Sequence, residues 1–268
     1  MITQEMYNLI IEPNLSKAKR GFVSKYSLQG IFNCIIYRLK TGCQWRELPV
    51  KQYFEKDIPC WQTIYHHFNK WSKNNNFKDI WENIILKYGD FFDLDVINLD
   101  GSQTLAKRGG EKVSYQTRKK GKTTNIIYLS DRNGIPINCS EPESGNHHDS
   151  YQLLKNLNSL WNQSLDNLKR FPILNADSGF DNQILKDFCE TNNIILNVYA
   201  NLRNNKNKEI KKIKYKQIYK ERFVVERLFA HLDSYKSLLI RYENKANNWL
   251  QLHYLAFAII FFKPKKIN

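Results

Sequence analysis

The chain has 268 residues, 42% of them hydrophobic and 13% aromatic, enough for one large core or a small domain beside a medium one, and too apolar for a disordered chain. A net charge of +15 with a pI near 9.5 excludes the ordinary profile of a metabolic enzyme and points to a polyanionic partner, nucleic acid first and an anionic membrane surface second. Five cysteines without a CxxC pair exclude a disulfide framework or zinc ribbon and favour a reducing compartment.

In chain order, Thr3 can cap a first helix running to about Ile11, before Pro13. This stretch has no basic start ahead of an apolar run and does not read as a secretory signal. Residues 14–25 are basic and loop-like. Leu28, Ile31, Phe32, Ile35, Ile36 and Leu39 then recur at helical spacing from Ser27 to Lys40, with Gly42 as the stop. In residues 60–73, Trp61, Ile64, Tyr65, Phe68 and Trp71 fill one face of a helix. The other face carries Gln62, Thr63, His66, Asn69, Lys70 and Lys73, side-chain types that contact base edges and phosphates. In a helix-turn-helix this helix would enter a major groove; otherwise it is a surface helix of a small bundle. Adjacent His66 and His67 diverge on a helix, which argues against a shared zinc with Cys60. After Asn74-Asn-Asn76, a helix from Phe77 to about Tyr88 completes a helical domain expected over residues 1–90.

The pattern then changes to strands, and residues 91–268 are expected to form a second domain. Asp95–Asp100 is a strand ending in an acid, and residues 103–122 read as a loop with seven Lys or Arg against one Glu. Strands follow at 123–130 and 135–140, joined by the Asn133-Gly134 turn. A helix is expected over 149–162, capped by Asp149, then a strand over 171–176 ending before Asp177. A helix capped by Asp181 and a strand over 194–199 follow, then a second basic stretch over 201–222 with nine Lys or Arg against two Glu. The next helix carries Val224, Val225, Leu228 and Leu232 as an apolar stripe, with Arg222 and Glu226 four apart. The apolar run from Trp249 to Phe262, ended by Lys263-Pro264, falls short of the roughly 20 residues that span a bilayer and reads as a buried helix.

Three strands joined by tight connections and two more reached through helices give an α/β fold, a mixed five-stranded sheet with flanking helices in the order of a ribonuclease H-like domain. In that order the strands ending at Asp100 and Asp177 are neighbours, and Glu226 leans over the same edge from a later helix. Three carboxylates in one place repel unless cations offset them. Hard divalent ions such as Mg²⁺ or Mn²⁺ take carboxylate and phosphate oxygens, and an ion pair can activate an attacking oxygen and stabilise a leaving one.

The motifs Asn98-Leu-Asp100-Gly-Ser, Gly145-Asn-His-His-Asp149, Ala176-Asp177-Ser-Gly-Phe-Asp181 and Tyr219-x2-Arg222-x3-Glu226 resemble those of bacterial DDE transposases of the insertion sequence five group. Tyr37–Pro49 together with Trp61–Tyr65 resembles that group's small helical, helix-turn-helix-like N-terminal domain. The resemblance covers nearly the whole chain. It implies a ribonuclease H-like core, Asp100, Asp177 and Glu226 as catalytic metal ligands for two Mg²⁺ or Mn²⁺ ions, and cleavage and joining of DNA at terminal inverted repeats. The chain departs from the pattern at Asp233, where the group carries a basic residue; Lys236 is the nearest downstream base. DNA contacts are expected from Tyr219, Arg222 and Lys236, from Gln62, Thr63, His66 and Lys70, and from the basic loops over 107–122, with Arg118, Lys119 and Lys120, and over 203–220. A homo-oligomer acting on double-stranded DNA in the bacterial cytoplasm, at the nucleoid, is the matching assembly. The rival readings are a non-catalytic DNA-binding protein and a ribonuclease H-like nuclease that cuts without joining.

Overall fold

The helix α1, Leu28–Thr41, forms where the sequence supplies both of its ends. Ser27 Oγ accepts from the Gly30 amide at 3.2 Å, and Gly42 closes the helix at φ +67°, a left-handed value that favours glycine. The computed structural model describes residues 4–16, 24–148, 150–161, 172–201 and 213–262, and these divide into two packed units.

One unit gathers the described parts of Met1–Lys87, Ala106–Glu111 and His231–Asn268. It holds α1, α2 (Trp61–Lys73), α3 (Asn76–Lys87) and the C-terminal helix Ala246–Phe261. The α2–α3 break falls at Asn75, with φ +58°. Phe32, Phe68, Trp71 and Phe77 form an aromatic core, and Trp81 meets Phe257 with ring centroids 5.7 Å apart. The C-terminal helix is apolar on nearly every face and is buried among α2 and α3. Packing therefore does not follow a single cut near residue 90. The expected first helix is instead a helical turn at Gln4–Met6, a π-turn over Tyr7–Ile11 and a 3₁₀ turn over Glu12–Asn14 that accommodates Pro13. Thr3, most of the basic stretch over 14–25, and Lys263-Pro264 lie outside the described residues. Among the described residues no helix is long and apolar enough to cross a membrane.

The other unit, Tyr88–Leu105 and Lys112–Ala230, is built on a sheet. Its strands are β1 (Val96–Ala106), β2 (Ser114–Gln116), β3 (Gly121–Ser130), β4 (Pro136–Cys139), β5 (Glu143–Ser144), β6 (Ile173–Ala176) and β7 (Ile195–Asn197). β3 pairs antiparallel with β1, β2, β4 and β5, while β1, β6 and β7 run parallel. The path β4-β3-β1-β6-β7 is the ribonuclease H-like order, and all five expected strands are present. Two expectations are corrected. β1 continues six residues past Asp100, and β2 occupies part of the expected loop. The β1–β3 register holds as far as Leu105↔Thr123, so antiparallel partners satisfy a backbone whose basic, glycine-containing sequence suggests a loop.

The helices are α4 (Leu153–Leu160), α5 (Gln183–Thr191), α6 (Lys216–Lys220) and α7 (Val224–Asp233), with a 3₁₀ turn, Glu221–Phe223, between the last two. α5 is capped by Asn182, whose side chain accepts from the Leu185 amide at 2.9 Å, and not by Asp181. Asp181 instead pairs with Lys186 at 2.6 Å and accepts from the Asn201 amide at 2.9 Å, which fixes the start of α5 from the other side. α4 starts at Leu153, later than expected, because Gln152 is left-handed at φ +48°; the expected cap Asp149 lies outside the described residues. The Asn133-Gly134 turn forms as expected with Gly134 at φ +79°, and a Cβ there would sit 3.0 Å from the Val224 carbonyl oxygen.

Candidate active site

A repeated Asn-x-Asp builds the site. Alternation along a strand puts Asn98 and Asp100 on one face, and the same spacing recurs at Asn175 and Asp177. The parallel pairing of β1 and β6 runs from Val96↔Ile173 to Leu99↔Ala176, so each aspartate is the first residue beyond the last pair. Both carboxylates therefore leave the sheet at one place, although β1 itself continues past Asp100.

Beneath them the asparagines form a buried ladder. Asn175 Nδ2 donates to Asn98 Oδ1 at 3.1 Å, and Asn197 Nδ2 on β7 donates to Asn175 Oδ1 at 2.8 Å. The side chains also grip the chain above the sheet. Asn175 donates to the Ile218 carbonyl at 3.2 Å, Asn197 donates to the Tyr215 carbonyl at 3.1 Å, and Asn197 Oδ1 accepts from the Tyr215 amide. All three asparagines are 1% exposed or less, so each unmade bond would leave a desolvated polar group. Sequence reading passed over this ladder, since asparagine is depleted in strands; the repeated Asn-x-Asp was the available signal.

The ladder fixes α6, and the following turn is held a second time. Arg132 grips Glu221 through two bonds of 2.7 and 2.9 Å, and this partner lowers the Glu221 pKa from its ordinary value. Arg222 is next in the chain. Its Nη1 donates to Asp100 Oδ2 at 2.8 Å and its Nη2 lies 4.0 Å from Asp177 Oδ1. Burial alone would lower the Arg222 pKa, but Asp100, Tyr219 and Asp177 outweigh it and the pKa is raised. Tyr219 lies one turn earlier, its ring 5.8 Å beneath the guanidinium and edge-on to Tyr199 at 4.6 Å.

One guanidinium thus holds the place of a shared cation between two carboxylates. Asp100 Oδ1 accepts from the Gly101 amide, and Asp177 Oδ1, the oxygen that faces Arg222, also accepts from the Ser178 amide, both at 2.8 Å. These hard oxygen donors facing one positive group, with side chains 23% and 53% exposed, suit a divalent metal such as Mg²⁺ or Mn²⁺. Glu226 is exposed on α7, four residues beyond Arg222. Among the described residues no group of three His, Cys, Asp or Glu side chains is close enough to hold a metal, so the structure brings together Asp100 and Asp177 but does not gather Glu226 with them.

The remaining predicted residues lie on other surfaces. Gln62 and His66 are exposed on α2, Thr63 and Lys70 are half-buried there, and Ile64, Phe68 and Trp71 are buried behind them. Arg118, Lys119 and Lys120 are exposed in the turn between β2 and β3, where Arg118 reaches Gln103 at 3.4 Å. Lys236 is exposed at the start of the short helix Lys236–Leu239. Residues 202–212 of the second basic stretch lie outside the described residues. In the Gly145–Asp149 motif, a Cβ at Gly145 would overlap the Thr123 side chain, and the His147 ring stacks on Tyr151 at 3.6 Å.

Residues 2–81 match the family profile of IS4/5-family transposases and residues 91–261 that of the transposase DDE domain. No curated protein matches the chain. Among solved structures it is similar to the Mos1 strand transfer complex, at 14% identity and a TM-score of 0.32 over 90% of this chain and 78% of that one. It is also similar to the Mos1 mariner paired end complex with Mn, at 13% identity and a TM-score of 0.34 over 91% and 81% of the respective chains. The DDE-domain match spans well over half of the chain and takes in Asp100, Asp177, Arg222 and Glu226, and the chain accordingly belongs to the family of DDE transposases.

Proposed function

We propose that this transposase cuts DNA at the terminal inverted repeats of its element and joins the freed 3′-hydroxyl to target DNA, with Asp100, Asp177 and Glu226 as the metal-binding carboxylates. The observation that carries the proposal is the register of β1 and β6, which sets Asp100 and Asp177 side by side over one shared cationic position. A divalent metal, Mg²⁺ or Mn²⁺ and two ions in the full reading, supplies activation of the attacking oxygen and neutralisation of charge on the phosphate. Asp100 and Asp177 would hold it, and Glu226, one helical turn from Arg222, would complete the ligand set.

Arg222 has a task with and without metal. It offsets part of the charge of the two aspartates in the free protein, and it is a forked donor suited to a DNA phosphate once they are otherwise engaged. Tyr219 orients it through ring and hydroxyl contacts. Gln62, Thr63, His66 and Lys70 on α2 offer a polar face for base edges, and Arg118, Lys119, Lys120 and Lys236 offer phosphate contacts. On this reading residues 1–90 supply the DNA-binding domain and residues 91–268 the catalytic one, with the C-terminal helix of the latter packed on the helices of the former. Two DNA ends must be held at once, which calls for a homo-oligomer on DNA. The five cysteines are free, which fits a reducing compartment, and the bacterial cytoplasm at the nucleoid is the location that a DNA substrate calls for.

The test offers purified protein a pre-cut oligonucleotide carrying one element end, with a supercoiled plasmid as target. Joining of the oligonucleotide to plasmid in Mg²⁺ or Mn²⁺ is expected. Cleavage without joining, and without preference for the repeat sequence, assigns the protein to the nucleases; binding without either reaction assigns it to the non-catalytic DNA-binding proteins.

A further inference from the structure

The helical unit contains a cavity of about 580 Å³ that the catalytic reading does not use. Its wall combines aromatic faces with basic groups. Trp45, Trp61 and Tyr65 line it half-buried, and Tyr242 lines it 44% exposed. Sequence periodicity assigns Trp61 and Tyr65 to the buried stripe of α2, yet Ile64, Phe68 and Trp71 fill the core and these two rings open on the cavity.

Part of the wall is already neutralised. Arg38 pairs with Glu243 at 2.9 Å with both side chains nearly buried, and Arg38 and the Trp45 side chain favour the Glu243 carboxylate against the burial that raises its pKa. Arg38 also lies over the Trp45 ring at 5.0 Å, while its buried Nε has no hydrogen-bond partner. The pair fixes Trp45 and leaves the wall's excess charge to Arg46, Arg108 and Lys245. All three are exposed, and none makes an ion pair among the described residues.

Stacking faces beside unpaired cations are the chemistry that takes unpaired nucleotides, a base on each ring and phosphate on Arg or Lys. The volume falls within the range of ligand pockets, about 300–1,000 Å³. We propose that this cavity binds an unpaired nucleotide of a single DNA strand, its base against Trp61 and Tyr65 and its phosphates on Arg46, Arg108 and Lys245. Trp61 and Tyr65 belong to the same helix as Gln62 and His66, so a strand melted from a duplex read by α2 passes directly to the cavity. The inference rests on DNA being the partner but not on the metal site.

The test uses the full chain in EDTA, with anisotropy of labelled oligothymidylate, a fully paired duplex and free thymidine 5′-monophosphate as probes. Wild type is expected to bind oligothymidylate. Trp61→Ala is expected to weaken that binding about tenfold, while Trp61→Phe keeps most of it. Arg46→Gln is expected to weaken it several-fold and to flatten its salt dependence. If Trp61→Ala melts early, Arg46→Gln and Trp61→Phe decide. Wild-type affinity in Trp61→Ala and Arg46→Gln, or no oligothymidylate binding at all, overturns the proposal. Equal affinity for free thymidine monophosphate also overturns it, because the site would then take a small nucleotide and not a strand. Failure of end joining with oligothymidylate binding intact would remove the transposition chemistry and leave the cavity assignment standing.

Discussion

At the scale of single residues, Arg222 carries the contact between Asp100 and Asp177, and its position makes it a competitor of the metal. The pair is about a quarter exposed, so its worth is that of a partly screened ion pair, about 1 kcal/mol at most. Arg222→Gln is therefore expected to bind Mn²⁺ up to about fivefold more tightly in calorimetry and, without metal, to melt earlier than wild type. Weaker Mn²⁺ binding in Arg222→Gln would mean that the guanidinium helps to organise the ligands and does not occupy their site. Asp177 is the more exposed of the two acids. Asp177→Asn is expected to leave stability nearly unchanged while cleavage falls about a thousandfold, the size of a lost metal ligand, as read from initial nicking rates.

At the scale of elements, the asparagine ladder converts three parallel strands into a platform for α6 and the turn that carries Arg222. Asn175→Ala removes donors to Asn98 and Ile218 and the acceptor for Asn197, and is expected to cost about 3 kcal/mol in urea unfolding. A cost below about 1 kcal/mol would mean that water replaces these bonds. Much of this architecture was readable beforehand. Ser27 and Gly42 mark both ends of α1, the stripe from Ile64 to Trp71 marks α2, and Asn133-Gly134 marks the β3–β4 turn. The neighbouring placement of Asp100 and Asp177 followed from strand order alone. Where reading failed, non-local partners decided. β1 outlasts Asp100 because β3 pairs with it across a polar sequence. Asn182 and not Asp181 caps α5 because Lys186 and the Asn201 amide claim Asp181. Glu226 was expected to lean over the two aspartates from a later helix, yet Val224, Val225 and Leu228 turn inward and leave it exposed on α7.

At the scale of the whole molecule, the sequence interleaves two packed units, since residues 231–262 return to the helices of the N-terminal segment. His253 sits in that returning helix, 1% exposed, its ring bonded to the Trp249 carbonyl at 2.9 Å. Burial lowers its pKa to about 4 from 6.5. The unfolded chain therefore takes up the proton first, so stability is full above 6.5 and lost as pH falls toward 4, by about 3 kcal/mol at the lower end. His67 on α2, also lowered to about 4 by burial, acts in the same direction. Urea midpoints at about pH 7.5 and about pH 5 check this, and His253→Gln is expected to narrow the difference. A net charge of +15 further predicts duplex affinity that falls steeply with salt, by tenfold or more between about 50 and about 200 mM, in titrations monitored by anisotropy. The central claim is that Asp100, Asp177 and Glu226 act as one metal-binding set for DNA cleavage. The most direct measurement is nicking of a supercoiled plasmid bearing the element ends, with Mg²⁺, Mn²⁺ or EDTA, by wild type and by Asp100→Asn, Asp177→Asn and Glu226→Gln. We expect nicking at the ends by wild type only, only with metal, and its loss in all three variants while duplex binding persists; end-specific nicking retained by Glu226→Gln, or by wild type in EDTA, would contradict the account.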